Sequence, residues 1–162
     1  MTGPAESWKS DRRVRYLLER NMDEDEHIRF VIEGMDGQCI VALDERLLIV
    51  KPGSALDETY AGLVTSIQYR DIDNIEITQV ASNWLIRIKA SNYRVTEAHT
   101  GEGPLEVNFF LSNEPDSIPI AKWAMEKYKP HLLELSELIS EAKGTHQSTE
   151  PKSTEPKSTE RP

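Results

Sequence analysis

The residues of this chain whose types could do chemistry are two acidic clusters, four histidines and one cysteine. Asp71-Ile72-Asp73-Asn74 sets two carboxylates two residues apart, as some metal-dependent transferases do. A calcium loop, however, needs Gly at its sixth position and Glu at its twelfth, and this segment supplies neither. Ile72 and Ile75 read as core residues that hold Asp71 and Asp73 in a solvated turn. Asp23-Glu24-Asp25-Glu26 reads as a solvated linker, the ordinary fate of a charge run. His27, His99, His131 and His146 are scattered, without ligand spacing among themselves or to Cys39, so no zinc site is expected. Cys39 lies in an apolar strand pattern, where a thiol packs as a small hydrophobe. Gly101-Glu102-Gly103 precedes Pro104 and a strand pattern rather than a helix, and so offers no N–H cradle to phosphate. No catalytic, metal-ligating or cofactor-binding residue is expected, and the chain reads as a non-enzyme without a cofactor.

Two other groups of residues could bind. Arg12, Arg13, Arg15 and Arg20, with Trp8 and Leu17-Leu18, form a short basic amphipathic segment. It could lie on an anionic membrane, giving weak membrane association, or meet an acidic partner. Alternatively its apolar stripe packs on the folded domain and its arginines meet that domain's acidic surface. Near the other end, Leu132, Leu135, Leu138 and Ile139 form an apolar stripe that continues past the length needed to cap one small barrel. It could therefore pair between subunits.

The charge distribution narrows the partners. The net charge of −9 falls mainly on residues 23–111, whereas residues 1–22 are net basic. An acidic domain repels nucleic acid, so none is expected as a partner. No apolar run approaches the 18 residues of a membrane span, and no signal-peptide pattern is present. With a single cysteine, a reducing, cytoplasmic location is expected.

The elements that must position these residues follow from periodicity. Residues 10–22 repeat at helical spacing through Val14, Leu17 and Leu18. From about residue 26 the period becomes two. Strands are predicted at Ile28–Ile32, Cys39–Leu43, Arg46–Lys51 and Leu63–Tyr69, then from Ile72 through Ile77, at Trp84–Lys89 and at Leu105–Leu111. Met35-Asp36-Gly37 supplies a hairpin turn that tolerates positive φ, and Asp44-Glu45 supplies another. Glu114-Pro115-Asp116-Ser117 reads as a helix start, with Ile120, Trp123 and Ala124 on one face. Pro130 should kink or divide this helix before it ends near residue 142. Beyond it, Ser148-Thr149-Glu150-Pro151-Lys152 repeats with a period of five, which predicts a disordered tail.

Three segments carry a family resemblance in their order and spacing. They are Val41-Ala42-Leu43-Asp44-Glu45-Arg46-Leu47-Leu48-Ile49, Tyr69-Arg70-Asp71-Ile72-Asp73-Asn74-Ile75 and Trp84-Leu85-Ile86-Arg87-Ile88. Together they resemble the bacterial pleckstrin-homology-like (PH-like) domains over roughly residues 25–129. The resemblance implies a mainly β, α+β fold: a seven-stranded antiparallel barrel capped by a long C-terminal α-helix, here preceded by a short N-terminal helix. It divides the chain into an N-terminal segment (1–24), a PH-like domain (25–143) and the repeat tail (144–162). It also implies a binding or assembly module that holds a protein partner or forms a homo-oligomer. Phosphoinositide binding is not expected, because the first hairpin, Glu33-Gly34-Met35-Asp36-Gly37-Gln38, contains no Lys or Arg.

Overall fold

The structure, a computed structural model, describes residues 7–53, 61–99 and 114–149. It is an α+β fold of antiparallel strands in two sheets with a long C-terminal helix. The strands are β1 (Phe30–Glu33), β2 (Cys39–Ala42), β3 (Arg46–Pro52), β4 (Ala61–Gln68), β5 (Ile72–Val80), β6 (Asn83–Ala90), β7 (Arg94–His99) and β8 (Ser117–Ile120). The first sheet has the order β1-β2-β3-β4-β7 and the second the order β5-β6-β8. Helices α1 (Arg12–Asn21) and α2 (Met125–Thr149) lie before and after them.

The turns form where their residues allow. Asp36 and Gly37 adopt φ values of 60° and 80°, so the Asp-Gly pair takes the left-handed conformations a tight hairpin demands. At Gly37 a side chain would also run into the Arg13 guanidinium and Pro52, which makes glycine doubly required. Asp44 and Glu45 turn the chain from β2 to β3, with the Leu43 N–H donating to the Arg46 carbonyl at 2.9 Å. Tyr69 closes the corner between the sheets, its buried hydroxyl donating to the Leu43 carbonyl at 2.6 Å.

The first sheet is covered on both faces, which explains why Leu47–Val50 is apolar without alternation. Its inner face, with Ile32, Ile40, Leu47, Ile49 and Ile67, shares one core with Ile86, Ile88, Ile118, Ile120 and Leu135. Its outer face, with Val31, Val41, Leu48, Val50 and Val64, packs on Val14, Leu17 and Leu18 of α1. Cys39 belongs to this second cluster and is buried, and burial pushes its thiol pKa upward.

Several elements differ from the sequence expectation. The described strands form two open sheets, and no closed barrel is found among them. Residues 117–120 form strand β8 paired with β6 (Ile118 opposite Ile86, Ile120 opposite Trp84), not the first turn of a helix. Pro119 is accommodated because β8 is an edge strand. After one turn of 3₁₀ helix at Lys122–Ala124, α2 starts at Met125 and continues through Pro130 without division. Only the hydrogen bond from position 130 to the Glu126 carbonyl is removed, near the helix start where the loss is smallest. Strand β7 was not anticipated. The strand expected at Leu105–Leu111, the Gly101-Glu102-Gly103 segment and the repeat tail beyond Thr149 lie outside the described residues.

Candidate functional site

Helix α1 turns its apolar stripe to the sheet and one arginine to structural work. Asp11 caps the helix, accepting from the Arg13 and Val14 backbone N–H groups at 3.0 and 3.4 Å. The Arg13 side chain donates to both Asp11 oxygens and, at 3.0 Å, to the Gly53 carbonyl at the end of β3. Partial burial opposes ionisation of Asp11, but Arg13 and the two N–H groups outweigh it and hold the carboxyl below its ordinary range. Arg12, Arg15 and Arg20 are exposed, with Arg20 stacked over Tyr16 at 5.4 Å. Because Val14, Leu17 and Leu18 are buried, the apolar half of a membrane anchor is already engaged within the fold.

The C-terminal stripe is likewise engaged. Leu135, Leu138 and Ile139 are buried in the main core, and Leu132 packs against it. In this fold they fill the chain's own interior rather than an outer surface. The outward apolar residue of α2 is instead Leu133, 68% exposed. Arg29 ties the helix down, reaching Asp44 at 3.3 Å and Glu134 at 3.5 Å, while His131 stacks on Phe30.

The acidic run before β1 is only partly solvated. Arg46 draws Glu26 in, with contacts of 2.7 and 2.8 Å to its two oxygens, and also binds the Asn21 carbonyl and Ser66 hydroxyl. These bonds from Arg46 hold Glu26 below the usual carboxylate range. Asp71 and Asp73 stand at the β4–β5 corner, beside the register shift between Ile72 and Asn74.

A second polar cluster joins the two sheets. Lys51, on the inward face of β3, donates to the Glu114 carbonyl, and Thr65 on β4 donates to the Pro115 carbonyl at 2.8 Å. Arg87 on β6 pairs with the Glu114 and Asp116 carboxylates. Burial lowers the Lys51 pKa to about 8; Asp116 works against the shift and Arg87 with it. Three strands thus grip residues 114–116 where the chain approaches β8.

The first hairpin faces a cavity of about 140 Å³ lined by Trp8, Asp11, Glu33, Gln38 and Cys39 among others. Carboxylates, not cations, border it, so an anion finds no favourable field there. Among the described residues, no group of three or more His, Cys, Asp or Glu comes together to hold a metal ion. No described helix is long and apolar enough to cross a membrane.

The remaining outward feature is apolar. The β5–β6 hairpin leaves the core after Ile75, and residues 77–82 are all exposed, including Ile77 at 40% and Val80 at 39%. β5 is an edge strand, with β6 its one strand neighbour among the described residues. Trp123, just past β8, is 78% exposed, with the Lys127 ammonium 5.6 Å from its ring. Sequence reasoning placed Ile77 in a strand and Trp123 on one helix face with Ile120 and Ala124, and marked neither as exposed. The available signal was the mixed pattern Glu76-Ile77-Thr78-Gln79-Val80, too polar on both sides for a strand with a buried face.

No protein-family model, curated protein or solved structure matches the chain.

Proposed function

We propose that the chain is a non-catalytic, PH-like interaction module that holds a protein partner or a second copy of itself. The observation that carries this reading is the division of labour among its side chains. The ionic groups that converge, Arg46 with Glu26 and Lys51 with Arg87, bind the chain's own backbone and carboxylates. The exposed large apolar residues, by contrast, include two on a projecting hairpin with an open strand edge. A strand edge and isolated apolar anchors suit recognition of another polypeptide. The PH-like part of the reading is supported by two antiparallel sheets joined at a Tyr69 corner, with a C-terminal helix packed into the core between them.

Chemical cross-linking of the full-length chain tests this, alone and in lysate from its native host, with adducts identified by mass spectrometry. The expected result is a discrete adduct to itself or to one protein, weakened by Ile77→Lys or Trp123→Ala. Labelling no greater than that of an unrelated acidic protein would count against it. The membrane reading through Arg12, Arg15 and Arg20 would gain ground if the chain sedimented with anionic vesicles and lost that binding when these arginines became Ala.

A further inference from the structure

We infer that the edge of β5 left open among the described residues pairs antiparallel with β5 of a second copy, with Ile77 on the twofold axis. This rests on the interaction-module reading and names the partner. β5 is the longest of the four sheet edges among the described residues: β1 and β8 are four residues each, β8 contains Pro119, and β7 is six residues, whereas β5 runs nine. It contains neither Pro nor Lys, the residues that commonly blunt an edge. Its far half also projects beyond the core, with residues 77–80 all exposed.

The sequence of β5 selects both the partner and the register. In an antiparallel pair related by a twofold axis, one residue must face its own copy. An axis at Glu76 would set two carboxylates opposite each other, which is destabilising. An axis at Ile75 would draw the irregular Ile72–Asn74 stretch into the ladder and place Asp73 against Ile77. An axis at Thr78 would leave only positions 76–80 paired. With the axis at Ile77, positions 74–80 of both strands pair in full. Ile77 then meets Ile77, Ile75 meets Gln79, Glu76 meets Thr78 and Asn74 meets Val80. No two like charges lie opposite, and Ile77 meets its copy at the centre with Ile75 of each strand two positions away on the same face. The second sheet of each copy becomes half of a continuous six-stranded sheet, three strands from each.

A single strand pair buries less than the ~1,200 Å² of a standard interface, so the dimer is a weak one, with Kd of roughly 10–100 µM. Chains of net charge −9 repel each other, and added salt therefore strengthens the association.

Sedimentation equilibrium of the full-length chain, from about 5 µM to about 500 µM, spans that range of affinity. A monomer–dimer equilibrium is expected. Ile77→Lys, which sets two ammonium groups face to face on the axis, weakens it by about tenfold or more. Thr78→Lys, which faces Glu76 of the second copy twice over, tightens it by roughly fivefold. Because the two lysine substitutions act in opposite directions on neighbouring exposed positions, misfolding cannot produce both results. A chain that stays monomeric throughout overturns the inference, as does a dimer indifferent to Ile77→Lys or weakened by Thr78→Lys. A monomeric chain that still cross-links to one host protein would overturn the β5 pairing and leave the interaction-module reading standing.

Discussion

The Arg46 guanidinium meets the Glu26 carboxylate at 2.7 Å, with the two side chains only 12% and 18% exposed. The pair spans the joint between α1 and the first sheet, because Arg46 also holds the Asn21 carbonyl at the end of that helix. Removing one member strands the other charge with little water to solvate it. Arg46→Leu should therefore destabilise the fold by about 2–4 kcal/mol, measured by urea unfolding. Glu26→Gln should cost less, since the amide oxygen still accepts one bond.

The buried lysine sets a pH dependence of unusual sign. Lys51 has a pKa of about 8 in the fold against 10.5 when exposed, so between these values the unfolded chain binds more protons. Stability should accordingly rise as pH increases from about 8 to about 9. Above that Cys39, whose thiol pKa burial raises from its ordinary 9.0, and then Tyr69, whose pKa burial also raises, pull the other way. Urea midpoints at pH 7.5, 8.0, 8.5 and 9.0 check this, and Lys51→Met should remove the rise.

Neighbouring leucines on α2 should behave oppositely. Leu135 is fully buried, and Leu135→Ala should cost about 2–5 kcal/mol. Leu133 is largely exposed, and Leu133→Ala should stay within about 0.5 kcal/mol. Thermal melts of the two variants decide it. Equal losses would mean that the helix presents a different face to the core.

The N-cap of α1 can be isolated in the same way. Asp11→Ala removes two backbone hydrogen bonds and the partner of Arg13, and should cost about 1–2 kcal/mol. Asp11→Asn should recover part of that loss, because the amide oxygen still caps.

Local pattern made much of this fold legible. Alternating Val, Ile and Leu located six strands, and Asp36-Gly37 located the first hairpin because few other pairs take positive φ twice. The unbroken run Leu47–Val50 carried the further signal that its strand is buried on both faces. β7 escaped because an exposed edge strand, with Arg94, Thr96 and Val95 all outward, needs no alternation. β8 escaped because Pro119, beside a helix-start pattern, argues locally against a strand. That objection disappears only once the strand is known to lie at an edge. Glu26 and Arg46 are distant in sequence, and nothing local announces their pairing. Lys51 was nearer to being found, since it follows Leu47 and Ile49 in period two and so had to point inward. The open edge of β5 is a property of sheet order, which periodicity does not encode.

The most direct measurement is amide hydrogen exchange of the full-length chain at about 5 µM and about 300 µM, below and above the expected dissociation constant. Pairing of β5 with a second copy predicts added protection at the higher concentration, confined to residues 74–80 and abolished by Ile77→Lys. Exchange in β5 that is identical at both concentrations, or protection gained along α2 instead, would contradict the account.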